Sequence, residues 1–247
     1  MTASAPGRQR VDVALSRIID WLLPRHCLMC GLPSGHGNLC PPCLSDLPRS
    51  PRRCERCGLP LPGSHDSVCG PCLATPPRWD RALVALDYRF PVDALIQRFK
   101  FSRNHACGQV LAQELGRAVR LAGPGLPRPD VLVPVPLHRG RHLARLFNQS
   151  ELMANFVGQR EGIPVEDRLL SRVRRTRAQS GLDAKSRRRN TRDAFHCDRR
   201  FAKGLRHVAL VDDVMTTGAT LEACVRELRR AGIREVSLWV AARAPPP

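Results

Sequence analysis

The chain has 247 residues, 43% of them hydrophobic, which allows one ordinary domain plus a small one and supplies enough apolar side chains for a core. No run approaches the ~18 apolar residues needed to span a bilayer as a helix, so no helical membrane span is expected. The formal charge of +18 rests almost wholly on arginine, with lysine only at 100, 185 and 203. Such a chain attracts polyanions, whether nucleic acid or phosphorylated ligands, although a coding bias toward arginine would give the same total.

In residues 1–26, Val11, Leu15, Ile18, Ile19, Leu22 and Leu23 share one helical face, while Asp12, Arg17 and Asp20 interrupt any export-type apolar core. The pattern predicts an amphipathic docking helix and a cytoplasmic protein. Residues 27–73 hold four Cys-x-x-Cys pairs: Cys27/Cys30, Cys40/Cys43, Cys54/Cys57 and Cys69/Cys72. Each pair can place two thiolates on one tetrahedral ion, so four pairs imply two structural zinc ions in a double zinc ribbon. Loop lengths favour joining the first two pairs and the last two, with interleaved pairing as the alternative. Without an export signal a disulfide framework is disfavoured, and a segment so rich in Pro and Gly would hardly fold without metal. Arg49, Arg52, Arg53 and Arg56 lie between the two sites, either as a nucleic-acid patch or as a solvated face.

Residues 74–80, with Pro76 and Pro77, read as an interdomain linker, and 81–244 as an α/β domain. A strand is predicted over 81–90, a helix over 92–101 carrying Leu95, Ile96 and Phe99 inward with Lys100 at its end, and a second helix over about 105–121. Strand 131–135 follows, then a helix beginning near Arg145 whose Phe147, Leu152, Met153 and Phe156 are expected in the core. The loop Leu137, His138, Arg139, Gly140 and Arg141 follows that strand, and its two arginines suit a diphosphate. Arg174, Arg175, Arg187 and Arg188 stand in a segment predicted to be a loop followed by a basic helix ending near Phe195. With Lys100 they are the basic groups expected to close over a phosphorylated substrate or to track a nucleic-acid backbone. Glu235 to Ala242 is the last strand. Cys107, Cys197 and Cys224 are isolated and expected to be packed.

The stretch from His207 to Thr220 is the most informative. Val208 to Val211 read as a strand buried on both faces and ended by Asp212 and Asp213. Met215, Thr216, Thr217, Gly218, Ala219 and Thr220 form a turn, and Leu221, Cys224, Val225 and Leu228 then recur at helical spacing. Gly218 permits close backbone approach to a phosphate, the threonines add hydroxyl donors, and the two carboxylates can accept from vicinal ribose hydroxyls. A ribose 5-phosphate fits that set; an ordinary strand-turn-helix with a charged turn is the bland alternative.

This stretch resembles the phosphoribosyl diphosphate (PRPP) signature of type I phosphoribosyltransferases. The cysteine pairs, Val133 to Leu137, Phe147-Asn148-Gln149, Gln179 with Leu182, Arg187 with Asn190 and Phe195, and the acidic motif resemble, in order, the ComF family over nearly the whole chain. One difference is Arg145-Leu146 where the family usually has Arg-Gly. The resemblance implies a type I phosphoribosyltransferase-like parallel sheet flanked by helices behind a double zinc ribbon. It also implies Mg-PRPP as ligand, with Asp212 and Asp213 as the catalytic pair, and a role in handling imported single-stranded DNA with DNA-uptake or recombination proteins. The acceptor of a transfer is not written in the residues. A non-catalytic nucleic-acid-binding or nucleotide-sensing factor is the alternative of a different class.

Overall fold

The computed structural model describes residues 25–35, 37–63, 67–102, 104–137, 147–173 and 194–245. It divides into two compact units, one ending at Leu47 and the other beginning at Pro48. Of the docking helix expected over 1–26, residues 1–24 lie outside the described residues, and Arg25 and His26 form a strand instead.

In the first unit that strand, β1 (Arg25–His26), pairs antiparallel with β2 (Pro33–Gly35), and the short helix α1 (Pro41–Ser45) follows. The second unit opens with the same design. Cys27 to Pro33 and Cys54 to Pro60 share the pattern Cys-x-x-Cys-Gly-Leu-Pro, and in both the glycine N–H closes a turn onto the first cysteine carbonyl, at 3.0 and 2.8 Å. Gly31 (φ 74°) and Gly58 (φ 69°) occupy the left-handed region that such turns require. Helix α2 (Gly70–Ala74) mirrors α1, each beginning just after a cysteine and a proline-containing first turn.

The rest of the second unit is built on a four-stranded parallel sheet in the order β3-β8-β7-β4, comprising β3 (Arg81–Asp87), β4 (Val131–Pro134), β7 (His207–Met215) and β8 (Glu235–Arg243). β7 stays buried along nearly its whole length because both faces are covered. Val208 and Leu210 pack with Leu221, Cys224, Val225 and Leu228 of helix α7 (Ala219–Arg230). On the other face β7 meets helix α5 (Gln149–Glu161), while helix α4 (His105–Ala122) packs against β3 and β8. Helix α3 (Val92–Phe101) buries Leu95, Ile96 and Phe99 against this side. Among the described residues no helix is long and apolar enough to cross a membrane.

Four local expectations are corrected. The strand predicted over 81–90 ends at Asp87, where its pairing with β8 stops at Arg243. β7 runs past the two acids to Met215, because β8 is long enough to pair with it there. The helix expected from Arg145 begins at Gln149, since Asn148 caps it: its side chain accepts from the Ser150 N–H at 3.2 Å and donates to the Val135 carbonyl at 3.1 Å. On that helix Met153 is buried but Leu152 is exposed. The basic helix expected to end near Phe195 lies outside the described residues, and Phe195 itself stands in β6 (Phe195–Cys197), which pairs antiparallel with β5 (Leu170–Arg172) ahead of the short helix α6 (Arg199–Ala202).

The stretch read as a linker is docked at its end. Trp79 is buried, and the Asp80 carboxylate binds Arg229 at 2.6 Å and accepts from the Val236 N–H at 2.8 Å. The four arginines read as a patch or a solvated face are half-buried and turned to internal acceptors. Arg49 binds Glu114 at 2.8 Å, Arg53 binds Asp87 at 2.7 Å, Arg56 donates to the Asp80 carbonyl at 2.7 Å, and Arg52 donates to the Gly63 carbonyl. These contacts fasten the second cysteine segment to the sheet.

Candidate functional site

β7 is a central strand, and its C-terminal end meets the start of α7 at a cleft of about 290 Å³. Asp212, Asp213, Thr216 and Thr220 line it from the β7–α7 connection, Pro136 and Leu137 from the segment after β4, and Gln149 and Ser150 from α5. Tyr88, Lys100 and Arg172 complete the wall. Sheets of this kind offer ligands their strand C-termini, where connections leave room and helix N-termini converge.

The acid pair is held from several elements. Asp212 Oδ1 accepts from the Ser150 hydroxyl and from the Asp213 N–H, both at 2.9 Å. Asp213 is 6% exposed, and its Oδ2 lies 2.7 Å from Lys100 Nζ. Burial, then the Asp213 carboxylate, push the Asp212 carboxyl up to about 7, against the opposing pull of Lys100 and the Ser150 hydroxyl. An acid so placed suits a ligand that brings positive charge or hydroxyl donors.

Gly218 begins α7 with φ 78°, and a Cβ there would stand 2.9 Å from the Trp79 ring. The turn before it can therefore lie close against the core, and Thr217 Oγ1 accepts from the Ala219 N–H at 3.4 Å. First-turn N–H groups and the helix dipole favour an anion at this point. Gly218→Ala should lower stability by about 2 kcal/mol, from the left-handed backbone and the ring contact together, and weaken phosphate binding. Thermal denaturation with a ligand titration checks this; an unchanged melting temperature contradicts it.

Of the predicted site residues, Asp212, Asp213, Leu137, Thr216 and Thr220 meet on the cleft, with Thr217, Gly218 and Ala219 forming the turn. Met215 is buried beneath that turn, close to Val84 and Gly58. Lys100, expected with the loop arginines, stands on α3 and pairs with Asp213 instead. His138, Arg139, Gly140, Arg141, Arg174, Arg175, Arg187 and Arg188 lie outside the described residues. Sequence reasoning missed Tyr88, Ser150 and Arg172 as cleft residues, and quoted Gln149 only within a motif. Gln149 is 2% exposed, and among the described residues its Nε2 makes no hydrogen bond, so it holds a donor for a ligand. Arg172 lies over the Phe195 ring at 5.3 Å.

The cysteines form two four-sulfur groups: Cys27, Cys30, Cys40 and Cys43, and Cys54, Cys57, Cys69 and Cys72, each with its sulfurs within 4.8 Å of one another. Sequential pairing is thus the arrangement present. A tetrahedral zinc ion with bonds near 2.3 Å needs sulfurs about 3.8 Å apart. Cys30 and Cys40 stand at 3.7 Å, and Cys57 and Cys69 at 3.6 Å, so both groups fit zinc. Burial opposes ionisation of Cys27 and Cys54, yet backbone N–H donors bring these thiols down to about 6 and about 7. The three isolated cysteines are buried, as their lack of partners in the sequence suggested.

Residues 18–73 match the family model described as a double zinc ribbon domain. DNA utilization protein YhgH of Salmonella typhi is 36% identical over 225 residues, covering 90% of this chain and 98% of the relative. Competence protein F of Haemophilus influenzae is 39% identical over 171 residues, covering 67% of this chain and 74% of the relative. Among solved structures, the glutamine PRPP amidotransferase from B. subtilis aligns with 53% of this chain and 26% of its own, at 24% identity and a TM-score of 0.36. The identity to YhgH and competence protein F over most of both chains means that this chain belongs to the ComF family.

Proposed function

We propose that the α/β cleft binds Mg-PRPP and that the protein serves the handling of imported DNA, a reading supported by relatives named for DNA utilization and competence. The observation that carries this reading is one juxtaposition. A carboxylate pair, Asp213 buried and Asp212 half-buried, and a glycine-opened helix N-terminus stand on the same cleft at the end of a central parallel strand. The turn from Thr216 to Thr220 would hold the 5-phosphate, and its binding energy would position the sugar. Asp212 and Asp213 would accept hydrogen bonds from the ribose hydroxyls and stabilise the positive charge that develops at the anomeric carbon as diphosphate departs. Mg²⁺ would supply charge neutralisation to that diphosphate. Lys100 keeps the Asp213 carboxylate fixed, Ser150 holds Asp212 from α5, and Gln149 would offer its Nε2 to the ligand.

A second reading, a nucleic-acid-binding factor without transfer chemistry, is favoured by a separate surface. Arg168 and Arg200 both lie over the Phe201 ring, at 4.4 and 5.8 Å, an arginine–aromatic combination on which unpaired bases stack. The test separates the two. PRPP should bind saturably and only with Mg²⁺, and ribose 5-phosphate and diphosphate should each displace it weakly, since each fills half the site. Absence of competition by ribose 5-phosphate would sink the assignment of the turn. Single-stranded DNA binding that falls steeply with salt, with no effect of PRPP, would favour the second reading.

A further inference from the structure

The second cysteine group is tied to the phosphate turn through one buried side chain. Arg243, the last residue of β8, is 8% exposed. Its Nε donates to the carbonyl of Cys57 at 2.9 Å. Its Nη1 donates to the carbonyl of Met215 at 3.0 Å, and also to those of Thr216 and Ala244. One guanidinium thus spans a metal-ligand residue and the two residues that open the turn. Buried guanidinium groups are costly unless a negative charge is near. Burial, with Arg53 beside it, works against the Arg243 charge and lowers its ordinary value, and the sulfurs of Cys57, Cys72 and Cys69 favour the charge. A zinc ion with four thiolates keeps a net charge of about −2, which suits this role.

A second pin runs beside the first. Trp79 Nε1 donates to the carbonyl of Arg56, inside the Cys54–Cys57 turn, while its ring lies against Gly218 on the other side. Gly58 reinforces the contact from below, because a Cβ there would stand 2.2 Å from Val84 Cγ2.

We infer that Arg243 is a positioning residue through which the second four-cysteine zinc site holds the phosphate turn in its binding shape. This rests on the ligand reading above, but its mechanical part concerns the turn alone. Zinc at this site would act on the ligand cleft from behind: it would fix the Cys57 carbonyl and keep the four thiolates ionised as the counter-charge, and Arg243 would pass both to Met215 and Thr216. Losing the ion should loosen the turn before the sheet gives way.

Hydrogen exchange without any ligand tests this directly. In zinc-replete protein the amides of Glu222, bonded to the Gly218 carbonyl at 2.8 Å, and Ala244, bonded to the Met215 carbonyl at 3.0 Å, should be protected. Arg243→Met, which keeps the apolar bulk and all eight cysteines, should speed their exchange on the order of tenfold or more while 208–211 stay protected and zinc content is unchanged. Arg243→Lys should show a smaller effect in the same amides, and serves if the methionine variant does not fold. Stepwise chelation of the wild-type protein should loosen the same amides as zinc leaves. If the Glu222 and Ala244 amides exchange at wild-type rates in the arginine variants, or in zinc-depleted protein, the inference is overturned. PRPP titration of the same samples separates it from the ligand reading. A wild-type protein that binds no PRPP but shows the exchange pattern loses the ligand and keeps the coupling, whereas normal PRPP affinity in Arg243→Met removes the coupling alone.

Discussion

Replacing Asp212 with Asn should make the ligand-free protein more stable while, together with Asp213→Asn, lowering Mg-PRPP affinity at least about 100-fold, or ~2.7 kcal/mol. Burial and Asp213 raise the Asp212 carboxyl from its ordinary 3.8 to about 7. A carboxyl whose folded value lies above its unfolded value contributes stability that is present below about 3.8 and lost as pH rises through about 7. Asparagine never ionises, keeps an oxygen for the Ser150 hydroxyl, and removes that loss. A gain of about 1–2 kcal/mol at pH 8, or roughly 3 °C or more in melting temperature, is expected, falling to roughly a third of that at pH 5 and vanishing below about 3.8. The ligand needs the opposite state. Only the ionised pair accepts well from ribose hydroxyls, so PRPP affinity should rise with pH through about 7 and level off above it. Thermal melts and titrations at pH 5, 7 and 8 check both halves. A variant less stable than wild type at pH 8 would contradict the account of the pair.

The second large effect concerns metal. In the first unit the buried apolar residues among those described are only Cys27, Leu39, Cys40 and Leu47, and two of these are metal ligands. So small a core cannot offset the chain entropy of folding, whereas a structural zinc site contributes roughly 10–16 kcal/mol. Chelation should release two zinc ions per chain, one for each four-cysteine group, and abolish amide protection over 25–47. Protons accompany the exchange, since the Cys43 thiol is pushed up to about 12 by its bond to Cys40 and by burial, and must ionise to bind metal. A metal-specific dye with hydrogen exchange reads both events. Persistent protection over 25–47 after complete zinc loss would show that the fold there does not need the ion.

What could be read in the sequence was what is local. The β7–α7 stretch carries its strand, its acids, its turn glycine and its helix within about twenty consecutive residues, and each piece is diagnostic where it stands. The cysteine groups were legible for the same reason. Lys100 was not, because its partner Asp213 is distant in sequence and reaches it only once α3 packs beside β7. Ser150 and Arg172 likewise acquire meaning from the sheet order rather than from their neighbours. Phe195 was not legible as a strand because its partner segment, Leu170–Arg172, is distant in sequence. The prolines at 76 and 77 read as a break, yet Trp79 and Asp80 immediately beyond them bind the second cysteine segment to the sheet. The repeat Cys-x-x-Cys-Gly-Leu-Pro was available as a signal that two equivalent turns exist. It could not tell that one of them packs beneath the phosphate turn.

Calorimetric titration of zinc-replete protein with PRPP in the presence of Mg²⁺ tests the central claim most directly. Saturable binding at one site per chain, lost without Mg²⁺ and lost in the Asp212→Asn, Asp213→Asn protein, is the predicted result. No heat, together with a melting temperature unmoved by PRPP, would contradict it and leave the acid pair and its turn as architecture beneath a DNA-binding surface.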